Sequence, residues 1–170
     1  WNYQSYGVWI TGRGTGSGTA GAASVGATTL GSNIPTTGSG TFTGTSAGLY
    51  VGPTGNYLVT TAFMTANVSF ANRTVNFNTV DTAGASAANA INGNFGTLTP
   101  ALNLTGTLAY GAGSNRISGA VSTAGSSNGS PMAGTATGNF YGPNANEIGG
   151  TFSVSGTGME TFAGAFGGKR

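Results

Sequence analysis

The sequence predicts an all-β chain: an eight-stranded antiparallel up-and-down barrel with an extra N-terminal strand and a long Gly-rich loop. Three observations predict it. From Thr37 to Gly167 apolar and polar residues alternate with a period of two, the mark of half-buried strands. Most of the alternating runs are separated by short turns rich in Gly, Pro or Asn, which join neighbours antiparallel. Glycine supplies 33 of the 170 residues without a collagen triplet period. Many glycines share a phase with large apolar residues, as a narrow barrel requires where small side chains face large ones. Closure also removes aggregation-prone strand edges. A two-sheet sandwich satisfies the same alternation and is the alternative.

Residues 1–10, W-N-Y-Q-S-Y-G-V-W-I, are aromatic and β-prone, with Tyr6, Val8 and Ile10 on one face and Trp9 on the other. They predict a strand that seals the core. Residues 11–35 read as a loop of small residues, either an ordered cover or a binding loop. Residues 1–36 are thus expected to form a strand and cover, and 37–170 the barrel, within one compact domain. The first barrel strand, 37–51, sets Phe42, Gly44, Ser46, Gly48 and Tyr50 in phase. A Gly52-Pro53-Thr54-Gly55 turn leads to 56–71, where Leu58, Ala62, Met64, Ala66, Val68 and Phe70 oppose Thr61, Thr65, Asn67 and Ser69. After Asn72-Arg73, residues 74–80 set Val75 and Phe77 against Asn76 and Asn78, completing the clearest hairpin.

The pattern breaks over 81–100, where 83–92 can form a short helical turn despite Gly84. It resumes at 101–112 with Leu102, Leu104, Leu108 and Tyr110 in phase. Strands at 116–123, 132–142, 147–156 and 159–167 follow, carrying Ile117 and Val121, Met132 and Phe140, Phe152 and Val154, and Phe162 and Phe166. The second face of these strands is Thr, Ser and Asn. A lipid-facing barrel carries an outward apolar band and aromatic girdles instead. The expectation is therefore a soluble barrel with an apolar interior.

Composition excludes several functions. Only 5% of residues are charged and the formal net charge is +2. Arg13, Arg73 and Arg116 are scattered, and Lys169-Arg170 is a short tail, so no phosphate-tracking stripe exists for nucleic acid. No apolar run approaches a membrane helix. The start at Trp1 reads as a processed product or an excised domain. A surface of hydroxyls and amides repels neighbours weakly.

With no His and no Cys, a serine nucleophile lacks its base and zinc or disulfide sites lack their ligands. The carboxylates are Asp81, Glu147 and Glu160; paired-carboxylate hydrolysis needs two of them to meet in space. The run at 12–18, G-R-G-T-G-S-G, echoes a dinucleotide loop but lacks the following helix and acid. No catalytic residue, cofactor or metal is expected. Around Glu147 the chain reads F-Y-G-P-N-A-N-E-I-G-G from Phe140 to Gly150. Gly142 supplies an unusual backbone angle, Pro143 presets the turn, and the Glu147 carboxylate is expected to accept N–H groups from 142–146 and fix the register. Its competing role is a partner contact. Tyr141 lies on the outward phase, either as a contact or as cover for a neighbouring strand. Trp1, Tyr3 and Trp9 are the further candidates for an exposed interface, with packing under the loop as the other role for Trp9.

The stretch F-Y-G-P-N-A-N-E-I-G-G-T-F, followed by A-G-A-F-G-G-K-R at 163–170, resembles the C-terminal barrel domain of the transferrin-binding protein B-like bacterial surface lipoproteins. N-I-P-T-T-G-S-G-T-F-T-G at 33–44 resembles the entry to that family's first barrel strand, so the likeness covers 33–170. It implies an eight-stranded barrel, often preceded by a handle domain that is here reduced or removed. It also implies a cell-surface (outer membrane, external face) or secreted location, with any lipid anchor attached upstream. Relatives in that family bind transferrin, complement factor H or haem. The leading expectation is a non-catalytic binding module with a protein partner, its specificity held in loops 11–35, 81–100 and 124–131. A self-associating subunit of an extracellular layer, matrix or filament is a second expectation, since the N-terminal aromatic strand can pair with another copy. A carrier for a small hydrophobic ligand or haem is the third, with Tyr or Met as the only haem ligands of that kind available.

Overall fold

The protein is described here by a computed structural model over residues 1–12, 18–127 and 129–170. Eight strands close an antiparallel barrel: β3 (Ser39–Val51), β4 (Tyr57–Ser69), β5 (Thr74–Ala85), β7 (Leu104–Ala109), β8 (Arg116–Thr123), β9 (Ala133–Tyr141), β10 (Glu147–Ser155) and β11 (Thr161–Lys169). Each pairs with its neighbour in the chain, and β11 pairs with β3 to close the ring. A two-residue strand, β6 (Thr97–Leu98), adds to β5. Outside the barrel, β1 (Gln4–Ile10) and β2 (Ala20–Gly26) form their own hairpin. The predicted barrel is therefore the one found, with one strand more at the N-terminus than the sequence suggested.

Residues 20–26 were expected to be loop. They are A-G-A-A-S-V-G, with no contrast between faces, so nothing in the pattern marks them. They extend because β1 offers a full antiparallel partner, from Gln4↔Gly26 to Ile10↔Ala20. β5 also runs past its expected end at residue 80. Its register with β4 shifts between Thr61 and Phe63, and Asp81 takes φ 53°. A bulge of this kind inserts one residue and flips the alternation. Val75, Phe77 and Thr79 are buried before it, Thr82 and Gly84 after it. The strand continues while its sequence pattern breaks. The helical turn expected within 83–92 is α1 (Ala87–Ile91), capped by the Ser86 hydroxyl, which accepts from Asn89 N–H at 3.3 Å.

Side chains fill the barrel axis. Phe140 sits centrally, 5.2 Å from the Tyr110 ring edge-on and 6.1 Å from both Phe42 and Phe70. Phe77 packs on Phe166 at 4.7 Å and Phe152 on Phe162 at 4.9 Å. Burying each such ring contributes about 1.5–3 kcal/mol. The Arg170 guanidinium closes one end, 5.6 Å over the Phe42 and Phe70 rings. The inward glycines have a reason beyond volume. A Cβ at Gly134 would run into the Ser153 carbonyl, and one at Gly150 into that of Thr137. The sheet coils so tightly there that adjacent backbones occupy the space of a side chain.

Candidate functional site

The β1–β2 hairpin lies on the outside of the barrel over β10, β11 and β3. Its seat is made by outward-phase glycines. A Cβ at Gly149 would overlap the Gln4 amide, and one at Gly167 the Tyr6 ring. Gln4 is buried and its Nε2 donates to the Ile148 carbonyl at 2.8 Å. The Tyr6 hydroxyl bonds Thr45, and burial raises its pKa above the usual tyrosine value although that bond opposes the shift. Three backbone bonds tie the far side: Ala27 N–H to Tyr3, Thr29 N–H to Phe140 and Gly142 N–H to Ala27, each at 2.9 Å.

Glu147 fastens the first residues of this hairpin. Its carboxylate, 3% exposed, accepts Asn2 N–H at 2.7 Å and Tyr3 N–H at 3.2 Å. The donors expected from the turn at 142–146 are not the ones used. That turn holds itself by other means: Gly142 at φ 83°, Ala145 at φ 53°, and Asn144 N–H donating to Asn146 Oδ1 at 3.2 Å. Arg170 braces it by donating through Nη2 to the Asn144 carbonyl at 2.6 Å. Pro143 is exposed within the same turn. The expectation fails because a carboxylate at the first residue of β10 points out of the barrel, to where sequence-distant β1 arrives.

The other predicted contact residues divide. Tyr141 is on the outward phase, yet it is 1% exposed, because β2 covers it and Ser24 lies 3.0 Å from its hydroxyl. Tyr3 is partly buried against Gly142. Trp1 is half exposed, edge-on to Tyr6 at 5.7 Å. Trp9 is 51% exposed, with its ring over Gly21. Residues 13–17, most of the Gly-rich run, and Asn128 lie outside the described residues.

Trp9 belongs to a groove of about 360 Å³ on the barrel exterior. Val8, Trp9 and Ile10 line one side, and Ala87, Ala90 and Ile91 of α1 with Phe95 line the other. Leu49 and Val59 also line it; they are Cα partners across β3 and β4. All nine lining residues are uncharged and apolar. Ile91 is 74% exposed at its rim. Sequence reasoning singled out only Trp9 and the loop carrying α1. The available signal was Leu49 and Val59, apolar residues paired on the outward phase of adjacent strands, a phase that also carries Ala47, Val51 and Phe63 among its hydroxyls and amides.

Glu160 stands at the other end of β10 and β11 from Glu147. It is buried; its Oε1 accepts from Tyr50, from Ser127 N–H at 3.1 Å and from the Ser127 hydroxyl at 2.7 Å. Burial alone would raise its pKa, but donors from Tyr50, Ser127 and Ser126 outweigh it and hold the carboxyl below its ordinary 4.5. Burial and this carboxylate together raise the Tyr50 hydroxyl's pKa. Among the described residues, no group of three or more His, Cys, Asp or Glu could hold a metal ion. Among the described residues no helix is long and apolar enough to cross a membrane, which says nothing of strands.

The family of C-lobe and N-lobe beta barrels of Tf-binding protein B matches residues 34–170. No curated protein matches the chain. Among solved structures, a variant of transferrin binding protein B from Haemophilus parasuis Hp5 aligns over 98% of this chain and 33% of its own, with 20% identity and a TM-score of 0.72. Isotype 1 transferrin binding protein B from serogroup B Neisseria meningitidis aligns over 100% of this chain and 32% of its own, with 21% identity and a TM-score of 0.67. A surface lipoprotein aligns over 99% of this chain and 76% of its own, with 16% identity and a TM-score of 0.64. The chain spans about a third of the length of the first two proteins. At these identities the likeness is one of fold.

Proposed function

The chain belongs to the family of C-lobe and N-lobe beta barrels of Tf-binding protein B, and on that premise we propose that it is a non-catalytic binding module of the bacterial cell surface whose partner is a protein. The observation that carries this reading is the uncharged apolar groove between the β1 edge and α1, with Trp9 and Ile91 at its exposed rim. An exposed aromatic beside an apolar depression is the chemistry of a protein-binding hot spot. In this reading residues 37–170 are the scaffold, and residues 1–36 supply the cover and one wall of the site.

The rest of the chemistry agrees with binding rather than turnover. Glu147 and Glu160 sit at opposite ends of β10 and β11 and are both occupied by structural donors. Asp81 sits on the exposed bulge of β5. A carrier role has less support, because aromatic side chains occupy the barrel axis. A place on the external face of the outer membrane, by an anchor upstream, follows from the family premise alone.

The test uses the full chain and a Trp9→Ala/Ile91→Ala variant as baits for proteins of the native environment. The variant should keep the parent Tm, since both side chains are at least half exposed. A partner retained by the parent and lost by the variant supports the reading. Identical capture by both baits, or capture by neither, overturns it.

A further inference from the structure

The groove lies along a strand edge that has no strand partner among the described residues. β1 pairs only with β2 among the described residues. The bonds Thr11 N–H to Thr19 and Ala27 N–H to Tyr3 fix which residues face inward across the hairpin. Hydrogen-bonded pairs recur every second residue in an antiparallel ladder. The odd-numbered residues of β1 therefore bond β2, and Tyr6, Val8 and Ile10 turn their N–H and C=O groups to the open side. Val8 and Ile10 also line the groove. Within the strand itself the edge is unprotected: residues 4–10 contain no charge, no proline and no bulge.

We propose that this edge takes an extended, uncharged, apolar segment of a partner protein as a third strand, laid along β1 with alternate side chains entering the groove. The inference rests on the binding-module reading and specifies its mode. Two features select the occupant. The open N–H and C=O row requires a backbone, which a compact small molecule does not supply. The groove has no charged group to match a charged segment, and burying an unpaired charge there is costly. α1 and Phe95 also line the groove, and a second folded copy of the chain is the occupant that the experiment below sets apart from a single segment.

The experiment selects twelve-residue segments from a displayed random library on the full chain and resynthesises them with blocked ends. The expected binders are uncharged and alternate apolar with polar residues. Their binding should slow hydrogen exchange at the amides of Tyr6, Val8 and Ile10. N-methylation of the peptide amides that face β1 should weaken binding at least tenfold, and methylation of the opposite-facing amides should not. In the protein, Val8→Pro removes one edge donor and should weaken binding at least tenfold. Val59→Lys places a charge in the groove and should do the same at an unchanged Tm. The inference is overturned if no segment binds, if alternate methylation has no effect, or if the same amides are protected only in a dimer of the chain. A captured protein partner that is indifferent to Val8→Pro and leaves those amides unprotected also overturns it, while the binding-module reading then stands.

Discussion

Replacing Glu147 by Gln should release the N-terminal hairpin and leave the barrel intact. The carboxylate accepts two backbone N–H groups, from Asn2 at 2.7 Å and Tyr3 at 3.2 Å. A hydrogen bond to a charged group is worth about 1.5–3 kcal/mol and a neutral one about 1 kcal/mol. Both bonds here are only part-buried and one is long, so the lower figure applies and the pair contributes about 3 kcal/mol. Gln retains one neutral acceptor and turns an NH₂ toward the other donor. The net loss is about 2 kcal/mol, or roughly a thirtyfold rise in the opening equilibrium of the hairpin. Native-state hydrogen exchange reads this directly. Amides of β1 and β2 should exchange roughly thirtyfold faster, while those of Phe77, Phe140 and Phe152 in the barrel keep their rates. Faster exchange confined to residues 142–146, with the hairpin unchanged, would refute the reasoning and return Glu147 to the turn.

Glu160 sets an acid limit. A carboxyl whose folded pKa is depressed contributes stability that is present above its unfolded pKa and lost as pH falls through the folded one. Denaturant midpoints should therefore decline as pH drops below about 4.5, and Glu160→Gln should flatten that segment of the profile while lowering stability by about 3 kcal/mol at pH 7. Phe140→Ala empties the middle of the aromatic cluster and should cost about 3–5 kcal/mol in chemical denaturation. Gly134→Val drives a side chain against the Ser153 carbonyl and should cost about 3 kcal/mol; an unchanged midpoint would show that the coil at this point relaxes freely.

The barrel was legible because burial writes itself into a period of two. Phe42, Met64, Phe77, Leu108, Phe140 and Phe152 are all in phase on their strands and all buried. Where the backbone departs from that period, the sequence goes silent. Asp81 shifts β5 by one residue, so Thr82 and Gly84 carry on the strand in the opposite phase and read as loop. β2 was illegible for a different cause: Ala and Gly on both faces satisfy contact with β1 and with the barrel without any contrast. The same limit applies to the site. The outward position of Tyr141 could be read from its phase, but its cover, supplied by Ser24 across 117 residues, could not. Local pattern says which way a side chain faces. It does not say what arrives there from elsewhere in the chain.

That separation explains how a carboxylate far from the groove can govern it. β1 is held at its start by Glu147 and lines the groove at its end with Val8, Trp9 and Ile10. Further holds are Gln4 and Tyr6 over Gly149 and Gly167, and, on the β2 side, Ser24 at Tyr141 and the backbone bonds of Ala27 and Thr29 to Gly142 and Phe140. A partner that uses β1 as a wall meets only molecules in which the hairpin is seated, and its apparent affinity scales with that seated fraction. Where that fraction is close to one, as these contacts lead us to expect for the parent protein, strengthening the clamp gains nothing. Weakening it acts with a threshold. Glu147→Gln alone leaves binding unchanged as long as open molecules stay rare, even though exchange in the hairpin has already accelerated. Adding Gly167→Val, which unseats Tyr6, moves the equilibrium toward the open form and reduces affinity in proportion. Binding and exchange measured on the single and double variants should therefore diverge first and converge afterwards. If binding instead falls in step with the first variant, Glu147 reaches the partner by a route other than the seating of β1.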